Sequence, residues 1–155
     1  MQTKIAPFLW FNDDAEAAMN FYVSIFPNSR VGAVARYGEG GPGPAGSVMT
    51  AECHLDGQEF LLLNGGPQFK FTEAVSFLVH CDDQAEVDYY WEKLASGGGT
   101  PSQCGWLKDR FGLSWQVVPR ALPQLLGNAD RAKAGRVMQA LLAMKKIDIA
   151  ALQNA

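Results

Sequence analysis

Two histidines, His54 and His80, and three cysteines, Cys53, Cys81 and Cys104, supply every imidazole and thiol in this chain of 155 residues. Their neighbours decide what chemistry they could do. Glu52 and Glu59 flank His54 in sequence, and a histidine with carboxylates is a donor set for a divalent metal. A strand-end histidine is also commonly just a satisfied polar group, so the alternative to a site built on His54 or His80 is no metal at all. Cys104 lies in the word QCGW, where Gly105 allows close approach, and a thiolate there is a nucleophile if its pKa is lowered. The sequence places no histidine beside it. Cys104 and, as an acid/base group, Glu52 are therefore the two catalytic candidates. The three cysteines are odd in number and include no CxxC spacing, which argues against a disulfide framework or a zinc knuckle and for small buried hydrophobes.

Neutral polar groups offer a second kind of site. Asn64, beside Gly65-Gly66, and Gln116 each carry an amide donor and acceptor, and Glu52 adds an anion. Phe69, Phe71, Trp106 and Tyr37 are available as apolar walls. A few polar groups among aromatic walls suit a small, partly apolar organic molecule. The same rings would equally fill a core or a subunit seam. The glycine-rich stretch YGEGGPGPAGS would cradle a nucleotide only if it joined a strand to a helix. Pro42 and Pro44 interrupt it and the strand-like SVMTAECHL follows, so it reads as a crossover or a lid.

These residues must be positioned by elements that the chain carries twice. NDDAEAAMNFY aligns without a gap on CDDQAEVDYYW, Asp13 on Asp82 and Tyr22 on Trp91. Each aspartate pair precedes a helical stripe: Ala15, Ala18, Met19, Tyr22, Ile25 and Phe26 in the first, Val87, Tyr90, Trp91 and Leu94 in the second. Glu16 follows Asp13 by three and Glu86 follows Asp83 by three, the capping-box spacing, so both pairs are expected to cap their helices. Pro27-Asn28 and Gly97-Gly98-Gly99 end the helices. Strands are expected over 5–11, 31–37, 48–55 and 60–64, then 74–81, 103–108 and 113–119, with Asp56-Gly57 as a hairpin turn and residues 109–112 as another. If Gln116 faces a ligand, Trp115 must pack under a helix on the opposite face. A further helix capped by Asn128 or Asp130 carries Ala134, Val137, Met138, Leu141 and Leu142, and a last turn starts at Asp148. This tail either caps the domain or joins two subunits.

Composition sets the outer bounds. Nearly half the residues are apolar, 48%, with 19% charged, as in ordinary globular domains. A net charge of -3 and a pI near 5.3 give no footing for nucleic acid. The N-terminal MQTKIAPFLWFNDD resembles neither a secretion signal nor a membrane span, so a cytoplasmic protein without membrane contact is expected.

The tandem strand-helix-strand-strand-strand unit, with its FY-type aromatic pair and GxxWQ-like last strand, resembles the vicinal oxygen chelate superfamily of glyoxalases, bleomycin-resistance proteins and dioxygenases. FNDDAEAAMNFY, LLLNGGPQFKFTEAVSFLVHCD, CGWLKDRFGLSWQVVP and RVMQALLAMKKIDIAAL are similar to its PhnB-like branch, labelled demethylubiquinone methyltransferase-like. The resemblance implies an α+β fold in one domain, residues 1–155: βαβββ modules over about 4–65 and 73–120 forming a cupped, mostly antiparallel sheet, and a helical tail over about 128–155. It further implies a small ligand in the cup, frequent homodimers and, in metal-using members, ligands at positions that here hold Pro7, Ser76 and Gln116. These residues are poor ligands. The expectation is thus a homodimer that binds a small organic molecule through Glu52, Asn64, Phe69, Phe71, Ser76, Trp106 and Gln116, with no cofactor. Two alternatives stay open: a metal-dependent lyase or dioxygenase using His54 or His80 in a rearranged site, and a protein that sequesters its ligand without turnover. S-adenosylmethionine-dependent methyl transfer is not expected, and the substrate is not legible.

Overall fold

Val48–Leu55 points Ala51, Cys53 and Leu55 into the protein and leaves Glu52 and His54 half-buried between them, the alternation of a one-sided strand. Asp56 and Gly57 then take φ of 48° and 81°. Two successive positive φ values match the twist of an antiparallel pair, so the chain reverses in register. In the computed structural model, which describes residues 3–155, this hairpin lies at the middle of a four-stranded mixed sheet. Its strands are β1 (Phe8–Phe11), β2 (Arg30–Arg36), β3 (Val48–Leu55) and β4 (Gln58–Asn64), in the order β1-β4-β3-β2. Only β1 and β4 run parallel. Helix α1 (Ala15–Ile25) buries Ala15, Ala18, Met19, Tyr22 and Ile25, the expected stripe.

The chain divides into two compact units, one up to Lys70 and the other Phe71–Ala155. The second unit repeats the order of the first: β5 (Ser76–Cys81), α2 (Gln84–Ala95), β6 (Thr100–Pro101), β7 (Trp106–Lys108) and β8 (Ser114–Pro119), sheet order β5-β8-β7-β6, with β5 and β8 parallel. The architecture is α+β with two four-stranded mixed sheets, as expected from the duplicated unit. Strand bounds differ where proline or glycine intervenes. β1 starts after Pro7, leaving Ile5 84% exposed. Of the strand expected over 103–108 only β7, Trp106–Lys108, forms; a two-residue β6 precedes it, and in the turn between them Cys104 and Gly105 have φ of 58° and 85°. A side chain at Gly105 would strike Ile147 and the Val117 carbonyl, so the turn is packed too closely for one.

The two helices are capped differently. Asp83, at the N-cap, accepts a hydrogen bond from the Glu86 amide at 2.9 Å as the capping-box spacing requires, while the return bond of Glu86 reaches one residue further back, to the Asp82 amide at 3.1 Å. At α1 no side chain of the aspartate pair caps: Asp14, at the N-cap, makes no such bond. Asn64 at the end of β4 takes over, its Oδ1 accepting from the Ala15 amide at 2.9 Å and its Nδ2 donating to the Val48 carbonyl at 3.0 Å. Glu16 pairs with Arg36.

The tail packs on its own unit. A short α3 (Leu122–Leu126), not anticipated, precedes α4 (Arg131–Leu142), capped by Asp130, and α5 (Ile149–Gln153), capped by Asp148. Leu122, Val137, Leu141, Ile147 and Leu152 form its core. Cys104 and Gly105 donate their amides to the Met144 and Lys145 carbonyls, both at 2.8 Å, tying the tail to the turn before β7.

Asp109, only 3% exposed, fixes the end of the β7–β8 hairpin. It accepts from the Phe111 and Leu113 amides and, at 2.9 Å, from the Trp115 indole N–H. Trp115 is 3% exposed, as its alternation with Gln116 requires. Trp115→Ala should therefore cost about 3–5 kcal/mol, whereas Trp115→Phe, which keeps a ring but removes the indole hydrogen bond to Asp109, should cost about 1–3 kcal/mol. Urea unfolding measures both, and a neutral Trp115→Phe would mean that the hydrogen bond contributes nothing. By the same method Asn64→Ala should match Asp83→Ala in losing a cap, about 1 kcal/mol each.

Candidate functional site

In the second unit, Leu78 stands opposite Gln116 across β5 and β8, and Trp106 stands opposite Gln116 across β7 and β8. Directly paired residues share a sheet face, and residues two apart along a strand do so too. Ser76, Leu78, Trp106 and Gln116 therefore lie on one face, with Trp115 on the other. Gln116 Nε2 donates to Ser76 Oγ at 2.9 Å. Both side chains are half-buried. The pair leaves Gln116 Oε1, one amide N–H and the Ser76 hydroxyl proton for another molecule.

This geometry tests the metal positions that the resemblance implied. Pro7 has no donor side chain, and its carbonyl accepts from the Leu61 amide at 2.9 Å. Ser76 and Gln116 are neutral and bonded to each other. These residues do not fit a divalent ion, and no chemistry is routed through one there.

The first unit carries a different group. Arg30 pairs with His54 across β2 and β3, and His54 with Glu59 across β3 and β4, so the three form a row over the sheet. Glu52, two residues before His54, joins them on that face. Donor atoms of Glu52, His54 and Glu59 all lie within 4.8 Å of one another. With Arg30 they line a cavity of about 510 Å³. His54 Nδ1 is buried without a hydrogen-bond partner and stands 4.0 Å from Glu52 Oε1. The sequence placed Glu52 in an organic-ligand pocket; the structure brings it to His54 and Glu59, the alternative weighed for His54. His80 is exposed and joins no such cluster among the described residues.

The other candidates make contacts of their own. Both ends of the Asn64 amide are spent on α1 and β3. Tyr37 donates its hydroxyl to the Asn64 carbonyl at 2.6 Å and covers Gly43, where a Cβ would sit 2.4 Å from its ring. Phe69 is 65% exposed and meets Trp10 edge-on, with centroids 4.9 Å apart. Phe71 is half-buried. Cys104 is half-buried in the turn that holds the tail. Burial, with Glu52 adding to it, pushes the Cys53 thiol up to about 11; burial, with Glu86 and the aspartate pair adding, pushes Cys81 up to about 12. The glycine-rich loop joins antiparallel β2 and β3 and precedes no helix. Missed from sequence were Asp109 and the role of Asn64, because each contact spans a turn or a long stretch of chain.

Residues 3–118 match the family described as 3-demethylubiquinone-9 3-methyltransferase. Among solved structures, the PhnB protein from Bacillus cereus is 39% identical, covers 76% of this chain and 99% of its own, and superposes with a TM-score of 0.71. Protein PA1353 from Pseudomonas aeruginosa is 22% identical over 76% of this chain and 98% of its own, TM-score 0.63. The fosfomycin resistance protein FosX from Mesorhizobium loti shares the fold at 12% identity, over 83% of this chain and 99% of its own, TM-score 0.58. The curated proteins gave no match. With its two mixed sheets in the same order and a family match over most of its length, the chain belongs to the PhnB-like family, described as 3-demethylubiquinone-9 3-methyltransferase, within the vicinal oxygen chelate superfamily.

Proposed function

We propose that this protein binds a small organic molecule through the Ser76–Gln116 pair and the Trp106 ring of its second sheet, without a metal at the superfamily positions. The observation that carries this reading is the 2.9 Å bond between Gln116 Nε2 and Ser76 Oγ. It holds the Gln116 amide in one orientation while its carbonyl oxygen stays available, which suits a hydroxyl or amide N–H on the ligand. The indole of Trp106, directly across the strand pair, gives a flat apolar body a surface to lie against.

Binding rather than nucleophilic catalysis fits the thiols: Cys104 lies in the turn that ties down the tail, and burial pushes Cys53 up to about 11 and Cys81 up to about 12, which disfavours their thiolates. The loop 37–47 leads into a strand rather than a helix, so it offers no nucleotide cradle for methyl transfer. Homodimerisation belongs to the same proposal: Met138 and Leu142, one helical turn apart on α4, are 41% and 55% exposed. No helix among the described residues is long and apolar enough to cross a membrane, and a cytoplasmic location goes with this reading.

Native mass spectrometry of the untagged protein, purified without chelators, tests the proposal. A retained organic molecule on a dimer is expected. Gln116→Ala and Trp106→Ala should each weaken its binding about tenfold, or about 1.4 kcal/mol, with Tm little changed for Gln116→Ala. Undiminished binding in both variants would sink the reading. In a parallel labelling experiment at pH 8, a thiol reagent should modify no more than one cysteine of the native chain, Cys104, against all three after unfolding.

A further inference from the structure

We propose that Glu52, His54 and Glu59 form a binding site for a divalent first-row transition-metal ion at the turn end of the β3–β4 hairpin. The site shares no residue with the positions held by Pro7, Ser76 and Gln116, and it stands independently of the small-molecule reading.

Four observations converge on it. The hairpin register sets His54 opposite Glu59, and the two-residue turn at Asp56-Gly57 fixes that register. Donor atoms from three residues consequently fall within 4.8 Å of one another. A metal–ligand distance of about 2.0–2.2 Å needs them only slightly closer, a movement within reach of half-exposed glutamate side chains. Second, His54 Nδ1 is buried with no hydrogen-bond partner. Buried polar atoms are rarely left unpaired, and a neutral ring nitrogen is the commonest metal ligand.

Third, the sheet makes room for the carboxylate. A Cβ at Gly32 would lie 3.2 Å from the Glu52 carboxyl carbon and 3.3 Å from its Cγ. The absent side chain on β2 is the space into which Glu52 folds back. Fourth, two carboxylates converge on one imidazole, with Glu52 Oε1 4.0 Å from His54 Nδ1, while Arg30, across the strand from His54, lines the same cavity. Like charges at this separation disfavour each other unless a cation lies between them.

One imidazole with two carboxylates selects the ion. The imidazole favours Zn²⁺, Fe²⁺ or Mn²⁺ over Ca²⁺ or Mg²⁺, and the absence of thiolate in the set disfavours soft ions such as Cu⁺. Three protein donors leave at least one coordination position for water or a ligand oxygen. Arg30 then lies where it would meet an anionic group bound to that position.

The test is calorimetric titration of the full chain, stripped with a chelator, with Zn²⁺ and separately with Mn²⁺, alongside metal analysis after desalting. One ion per chain is expected. Glu59→Gln, an isosteric change at a half-exposed position, and His54→Ala should each weaken binding by more than the roughly 10–100-fold that loss of an outer partner costs. Gly32→Ala, which removes no ligand but crowds the Glu52 carboxyl, should also weaken it. Far-UV circular dichroism verifies that each variant is folded. No saturable uptake by the native chain, or uptake of equal affinity in folded Glu59→Gln and Gly32→Ala, would overturn the proposal; loss in His80→Ala with retention in His54→Ala would do the same.

Discussion

The carboxylate of Asp109 is the interaction on which the candidate ligand face depends. A buried carboxylate is strongly disfavoured unless its oxygens are satisfied, and here two backbone amides and an indole N–H satisfy them. Those bonds close the 109–112 turn and draw Trp115 inward. Because side chains alternate along a strand, an inward Trp115 puts Gln116 on the opposite face, beside Ser76 and across from Trp106. A slip of one residue would exchange the two, burying an amide and exposing an indole. The hairpin register and the polar pair go together with one buried carboxyl group.

The duplicated unit has solved one problem twice, by different means. Both helices begin with amide N–H groups that need acceptors. In α2 the acceptor is local, Asp83. In α1 it is Asn64, 49 residues away from the amide it caps. The first helix is thereby fastened to the end of β4, and through the second amide bond to the start of β3. The consequence is chemical: with Oδ1 and Nδ2 both engaged inside the protein, Asn64 has less to offer a ligand.

The same strand order also presents two different chemistries. The row across the first sheet, Arg30, His54 and Glu59 with Glu52 beside it, is charged and polar. The corresponding face of the second sheet carries a neutral hydroxyl–amide pair and an indole. The two units share one strand order and differ in the side chains that one face of each sheet carries.

The sequence by itself determined the architecture of each unit. Apolar periodicity marked the buried stripe of α1 and, in α2, Val87 and Leu94 with Tyr90 and Trp91 half-buried beside them; Asp56-Gly57 marked the hairpin, the Asp83–Glu86 spacing marked the α2 cap, and the alternation of Trp115 with Gln116 assigned their faces. All of these are local signals, set by side chains a few residues apart. The tertiary structure decided the rest. It transferred the α1 cap from the aspartate pair to Asn64, made Asp109 a buried acceptor, shortened the strand expected from Gln103 to the three residues after Gly105, and gathered Glu52, His54 and Glu59 around one cavity while leaving His80 outside. Each of those outcomes depends on which strands pair and in what register. Pairing is a long-range choice, and a single strand's residues show which side they face but not which side chains will stand opposite them.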